Sequence, residues 1–246
     1  MDVGAVLTVS DLSIHRGKVT TLHRVSLTLE AGRTLAVVGE SGAGKSTLIE
    51  AILGLLKPSS GIVTWNDLPV GQSRPALVMQ EPRSAFSPFC SLRRSVSEPL
   101  IARKTKLDPD RLARLCDGLE IPRDLLDRRP GEVSIGQAQR VGILRALIAR
   151  APLVLFDEPL SALDAATQKH TAALIAELQK EEGFAALIVT HDLGYACAYG
   201  DDIAVLKAGR IEEAGDASAF IAAPTTEYGR TLRDAAVALG ALEMAG

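Results

Sequence analysis

The stretch Gly39-Glu40-Ser41-Gly42-Ala43-Gly44-Lys45-Ser46 fits the pattern G-x-x-x-x-G-K-[ST], whose residue types suit a phosphate chain. Glycines let backbone N–H groups curl around phosphate oxygens, and a helix starting there adds the positive end of its dipole. Lys45 would reach the β- and γ-phosphates, Ser46 would set its hydroxyl on Mg2+, and Thr47 completes the set. A second constellation, Asp157-Glu158, closes the apolar run 153–156. At the end of a buried strand, where ligands sit in open α/β sheets, Asp157 would hold Mg2+ directly or through water. Glu158 beside it would be the general base. Hydrolysis of ATP needs an anion cradle, a metal site, a group that deprotonates water and further charge on the γ-phosphate, and the chain offers a candidate for each. Read alone, the first stretch could be a glycine-rich turn and the second a solvated acidic turn; their flanks decide between the readings.

Those flanks are apolar runs. Residues 34–38 read as a buried strand before the glycine loop, and residues 47–53 as a helix closed by Gly54. Strands are also expected at 6–14, 26–29, 62–65, 76–80, 153–156, 185–189 and 203–206. Helices are expected at 92–103, 108–115, 137–150 and 165–182, and strands separated by helices imply a parallel α/β sheet. In the helix over 137–150, Val141, Leu144, Leu147 and Ile148 share one face, and the interior Gly142 suggests close packing. Residues 81–132 change character, being rich in Pro, Arg and acids, and read as a helical insertion with a solvated surface. From Asp216 onward the chain reads as helical, with Tyr228, Leu232, Ala235, Leu239 and Leu242 docking on the domain.

Composition narrows the class. A chain of 246 residues, 47% hydrophobic, can bury a sizeable core as one domain with an insertion. A net charge of -3 gives no electrostatic argument for nucleic acid. Cys90, Cys116 and Cys197 lack metal-ligand spacing and an even count, so they read as packing residues in a reducing compartment. The start Met1-Asp2-Val3-Gly4 has no basic and apolar leader pattern. No apolar stretch reaches the roughly 18 residues of a membrane span.

Further motifs carry a family resemblance. Val78-Met79-Gln80-Glu81-Pro82 resembles a Q-loop, Ser161-Ala162-Leu163-Asp164 a D-loop and Thr190-His191-Asp192 a switch-histidine loop. With the two phosphate motifs, and in this order from about residue 12 to 215, they resemble the nucleotide-binding subunit of ATP-binding cassette (ABC) transporters. The resemblance implies an α/β fold: a P-loop NTPase core with a mainly parallel sheet, an N-terminal antiparallel β-subdomain and an inserted helical subdomain. It divides the chain into a core of 1–80 and 135–215, a helical subdomain of 81–134 and a tail of 216–246. It implies ATP and Mg2+ as cofactors, with Gln80 contacting Mg2+ and the attacking water, His191 bonding the γ-phosphate and Asp164 coupling two nucleotide sites. Taken singly, Gln80 is a polar strand terminus, Asp164 a helix N-cap and His191 a strand-end histidine.

Two positions depart from the family pattern. Val133-Ser134-Ile135-Gly136-Gln137 resembles the signature L-S-G-G-Q, with Ile135 in place of the first glycine. Ser134, Gly136 and Gln137 would close over the ATP of the opposite subunit, and Ile135 would weaken that site by bulk, and by strain if its φ must be positive. Where the family stacks the adenine on an aromatic ring, this chain has Leu12-Ser13-Ile14-His15-Arg16-Gly17. Arg16 aligns with that position and His15 is the reserve.

The segment 80–88 and the stretch Pro224-Thr225-Thr226-Glu227-Tyr228-Gly229-Arg230-Thr231-Leu232 are similar to those of di- and oligopeptide and nickel importers, although Thr226 and Gly229 differ from the subfamily's tail pattern P-x-H-x-Y-T-x-x-L. That similarity implies uptake of nickel, another chelated metal or a peptide through separate integral membrane permease subunits. It also implies a second, different ATPase subunit, an extracytoplasmic solute-binding protein acting indirectly, no nucleic acid, and a peripheral place on the cytoplasmic face of a prokaryotic inner membrane. The competing class is a soluble non-transport ABC ATPase of the DNA repair or translation type.

Overall fold

The computed structural model describes residues 6–242. Ten strands and eight α-helices follow the order β1 (Val6–Arg16), β2 (Val19–Glu30), β3 (Thr34–Val38), α1 (Lys45–Ile52), β4 (Ser60–Trp65), β5 (Leu68–Pro69), β6 (Ala76–Val78), α2 (Leu92–Arg103), α3 (Pro109–Gly118), α4 (Ile135–Ile148), β7 (Leu153–Asp157), α5 (Ala165–Glu182), β8 (Ala185–Thr190), α6 (Leu193–Tyr199), β9 (Asp202–Lys207), β10 (Arg210–Asp216), α7 (Ala217–Ala222) and α8 (Glu227–Ala238). They form a four-stranded antiparallel sheet, β2-β1-β4-β5, and a six-stranded sheet, β10-β9-β3-β8-β7-β6. In the second sheet only β10 runs antiparallel, as the return of a hairpin from β9.

The central strands are apolar runs because both faces are covered. All five residues of β3 and all six of β8 are buried, as in the inner strands of parallel sheets. One face and the antiparallel sheet enclose a core around Leu48, Ile52, Leu155 and Leu187. The other face joins the helical segment in a core containing Phe156, Leu92, Leu115 and Leu144. That second core explains α4, which is buried almost all round and not on a single stripe.

Several expectations are corrected by longer-range pairing. The second strand begins at Val19, not near residue 26, because Val19, Thr20 and Leu22 pair with Arg16, His15 and Ile14 across the hairpin. β6 stops at Val78 and lies at the sheet edge, with Ala76 and Leu77 half-buried. β10 was not expected at all, since its exposed alternation carries almost no apolar signal. In α8 the buried positions are Gly229 and Ala236, not Ala235, and Leu239 caps the helix while 84% exposed. Tyr228, Leu232 and Leu242 do pack on the domain. Their helix is anchored by Glu213, which accepts from the N–H of Thr225 (2.6 Å) and of Thr226 (3.1 Å) and from the Thr226 hydroxyl (2.8 Å). Burial would push the Glu213 carboxyl up, but these donors outweigh it and hold the group below the usual range.

Gly142 is not tightly enclosed. A Cβ there would meet only Phe86 Cζ, at 3.9 Å, an ordinary contact. Gly142→Ala is therefore expected to stabilise the protein by about 0.5–1 kcal/mol through helix propensity. A lower urea midpoint for the variant would contradict this.

Candidate active site

The phosphate loop grows directly from the centre of the six-stranded sheet, between β3 and α1. Gly44 sits at φ 108°, and a Cβ on it would lie 2.9 Å from Leu22 Cδ2 and 3.0 Å from the carbonyl oxygen of Thr21. Only glycine meets both demands. The loop is also tied from outside. Gly209, in the β9–β10 hairpin turn, donates its N–H to the Ala43 carbonyl (2.9 Å) and accepts from the His23 N–H (2.8 Å). Lys45 is buried and donates to the carbonyls of Gly39 (2.8 Å) and Glu40 (3.1 Å). Burial lowers its proton affinity, while Glu158 and Asp157 act the other way.

β7 delivers the two acids. Asp157 faces Ser46, whose side chain favours the charged carboxylate, and its Oδ1 is buried with no partner. Burial raises its proton affinity and Glu158 adds to this, against the Ser46 side chain and the charge of Lys45. Glu158 is buried at φ 47°, a left-handed conformation that costs a side-chain-bearing residue roughly 1–2 kcal/mol. The turn is fixed by the Ser161 hydroxyl, which donates to the Glu158 carbonyl (3.0 Å), and by the Glu158 N–H, which donates to the Val189 carbonyl (2.9 Å). The carboxylate meets the Thr190 hydroxyl at Oε2 (3.2 Å), at the end of β8, and His191 Nδ1 at Oε1 (2.9 Å), in the residue that follows the strand.

These residues share one cleft of about 830 Å³, lined by Ser41, Gly42, Gly44, Lys45, Ser46 and Thr47 from the loop and by Gln80, Asp157, Glu158 and His191. Gly39 and Glu40 serve it through the carbonyls that hold Lys45, and Ala43 through its bond to Gly209. Its remaining wall, Val19, Thr20, Thr21, His23, Ala208 and Gly209, was missed in the sequence. The Gly209-Arg210 turn signal between two apolar runs was the available clue; nothing local marks His23. Arg16 does not line the cleft, because its guanidinium pairs with Glu50, and His15 bonds Thr20 (2.9 Å).

The signature and D-loop residues lie outside this lining and touch each other. Ser134 caps α4, with its Oγ accepting from the Gln137 N–H (3.1 Å) and Gln137 Oε1 accepting from the Ser134 N–H (2.9 Å). Asp164 caps α5 by accepting from the Thr167 N–H (3.0 Å) and hydroxyl (2.8 Å). Gly136 lets the two segments approach: a Cβ there would lie 3.2 Å from the Ala162 carbonyl oxygen. Ile135 occupies the first turn of α4 and is absent from the positive-φ residues, so the expected backbone strain does not arise. The residue is 53% exposed.

Residues 22–161 match the ABC transporter family. The chain belongs to that family. Among its relatives is the probable D,D-dipeptide transport ATP-binding protein DdpF of Escherichia coli K12, 34% identical, with 90% of this chain and 72% of that protein covered. The nickel import ATP-binding protein NikE of Shigella dysenteriae serotype 1 is also 34% identical, with 94% of each chain covered. The ATP-binding cassette MJ0796, solved as a dimer in a post-hydrolysis state with ADP and Pi, is 28% identical with a TM-score of 0.76, covering 86% of this chain and 98% of that one. As an ABC ATPase the protein binds and hydrolyses ATP. Such subunits work with membrane permeases, and among the described residues no helix is long and apolar enough to cross a membrane.

The donor set also suits Mg2+. The ion typically takes one or two carboxylates and a hydroxyl together with substrate phosphates, and does not need a cage built wholly from protein. The unpartnered Asp157 Oδ1 beside Ser46, with Gln80 on the same cleft, is such a set.

Proposed function

We propose that this chain is the ATP-hydrolysing subunit of an importer for nickel or another chelated metal, with a di- or oligopeptide as the second solute class. The observation that carries hydrolysis is the Glu158 carboxylate, buried, held by Thr190 and His191, and facing Lys45 across one cleft. The importer reading draws on the Gln80 and tail motifs and on relatives named for dipeptide and nickel transport.

In this mechanism Lys45 leaves the carbonyls of Gly39 and Glu40 for the β- and γ-phosphates of ATP. Ser46, Asp157 and Gln80 would hold Mg2+, which would supply charge neutralisation on the phosphates. Glu158 accepts a proton from the water that attacks the γ-phosphorus, the bond to the β,γ-bridging oxygen breaks, and ADP and phosphate result. His191 is 69% exposed at its side chain, so it can turn from Glu158 to a γ-phosphate oxygen and free Oε1.

A second ABC subunit, different from this one, supplies the signature that closes over this cleft, while Ser134, Gly136 and Gln137 close over its ATP. Asp164 couples the two sites. The helical segment carries the motion toward the permease: Arg83 bonds the Val133 carbonyl next to Ser134, and Arg145 bonds the Ala85 carbonyl beneath Phe86, so the segment after Gln80 is stitched to the signature helix. A solute-binding protein acts from the far side of the membrane, and this chain sits peripherally on the cytoplasmic face.

Purification in detergent tests the reading. A co-purifying integral permease and ATPase activity stimulated by a nickel chelate or a dipeptide, presented with its binding protein, are the expected results. Nucleic acid or ribosomes in place of the permease would favour a non-transport ATPase. Ile135 supplies a narrower test, now resting on bulk alone. Ile135→Gly is expected to raise ATPase activity of the assembled transporter, and unchanged activity would reject the claim that Ile135 weakens the site it closes.

A further inference from the structure

A small cavity of about 260 Å³ lies away from the nucleotide cleft, between edge strand β6 and the C-terminal ends of α2 and α4. Arg74, Arg103 and Arg145 line it, with apolar walls from Leu77, Pro99 and Ala102, and no Asp or Glu is part of the lining. None of the three arginines is ion-paired with a carboxylate among the described residues.

Their bonds instead go to backbone carbonyls, which fix them in place without neutralising them. Arg74 Nη1 donates to the Ala102 carbonyl (2.8 Å), and Arg103 Nη2 donates to the carbonyl of Arg74 itself. Arg74 adopts a left-handed backbone (φ 49°) as part of this mutual lock. Arg145 donates to the Ala85 carbonyl and stacks over the Phe86 ring at 4.8 Å. Like charges are thus held toward one cavity, an arrangement that repels itself until an anion enters. Burial is the main cause that lowers the proton affinity of Arg103, with the charge of Arg74 adding to it; for Arg145 burial alone lowers it, against the opposing charge of Glu98.

We propose that this arginine cavity is a binding site for a phosphate-bearing anion, distinct from the nucleotide cleft. A guanidinium has five donors in a planar fork, so one bond to a carbonyl leaves others for an oxyanion. Three such groups around one small cavity match a multiply charged tetrahedral phosphate better than a single carboxylate. The anion would clamp β6 to α2 only two residues before Gln80, which gives it a route to the Q-loop. A free phosphate ester and the headgroup of an anionic lipid share this chemistry.

The test saturates the nucleotide cleft with a non-hydrolysable ATP analogue and titrates inorganic phosphate into wild type, Arg74→Gln and Arg103→Gln. Each substitution is expected to weaken phosphate binding about tenfold or more, as for the loss of one charge-assisted fork. Arg74 is exposed, so its variant should keep the wild-type Tm in phosphate-free buffer and remain a test of the site if Arg103→Gln unfolds. A parallel arm sediments the proteins with vesicles of phosphatidylcholine doped with phosphatidic acid. Variant-sensitive binding of inorganic phosphate assigns the site to soluble phosphates, and variant-sensitive binding of vesicles alone assigns it to lipid headgroups. Equal behaviour of wild type and Arg74→Gln in both arms, or acetate binding as well as phosphate, would overturn the proposal.

Discussion

Glu158→Gln is expected to lower kcat by a factor of about 10² to 10⁴, the usual contribution of a positioned general base, with ATP affinity nearly unchanged. The amide keeps the size of the side chain and an oxygen that can accept from the Thr190 hydroxyl, as Oε2 does now at 3.2 Å. It loses the basic lone pair that would take the water's proton. Lys45, Ser46 and the loop amides are untouched, so binding and turnover should separate cleanly in equilibrium binding and steady-state assays. Normal turnover in the variant would reject Glu158 as the base. The left-handed backbone at Glu158 strengthens the argument, because a fold selected for stability alone would favour glycine at φ 47°. Here a carboxylate is kept at that strained position, against His191 and Thr190.

The residues of this site differ in how much of their role is written locally. The loop 39–46 and the run 153–158 were legible because motif and flanking strand are contiguous, so local pattern and tertiary position coincide. The helices Leu92–Arg103 and Ala165–Glu182 were legible for the same reason, each opening on a capping Ser91 or Asp164. The cleft's second wall was not. Thr21, His23 and Gly209 reach the loop only because β2 and the β9–β10 hairpin meet beside it, a contact spanning most of the chain. Arg16 aligned with a stacking position by sequence, yet Glu50 on α1 claims its guanidinium. The departures in the tail became intelligible only in three dimensions: a Cβ at Gly229 would lie 2.3 Å from Glu213 Oε2, and Thr226 caps α8 while bonding the same carboxylate.

Asp157→Asn is expected to abolish ATPase activity and, in the absence of nucleotide and Mg2+, to raise Tm near neutral pH. The two effects share one cause. Burial raises the proton affinity of Asp157 in the folded chain, whereas the unfolded chain has the ordinary Asp value near 3.9. A raised acid costs stability wherever it must be ionised, so stability of the nucleotide-free protein should grow as pH falls through the folded-state value, and level off below the unfolded one. The Asn variant removes the charge and with it this part of the pH dependence. Adding Mg·ADP should reverse the ranking, because the unpartnered Oδ1 is then the oxygen a cation uses, and the wild type gains the larger stabilisation. Thermal melts across pH, with and without Mg·ADP, read all of this without an activity assay. A lower Tm for the nucleotide-free variant would show that Asp157 is held by the fold for stability. An equal gain from Mg·ADP in both proteins would remove it from the metal site. The expected crossing of the two curves is the signature of a carboxylate retained at a cost to the folded chain for what it binds.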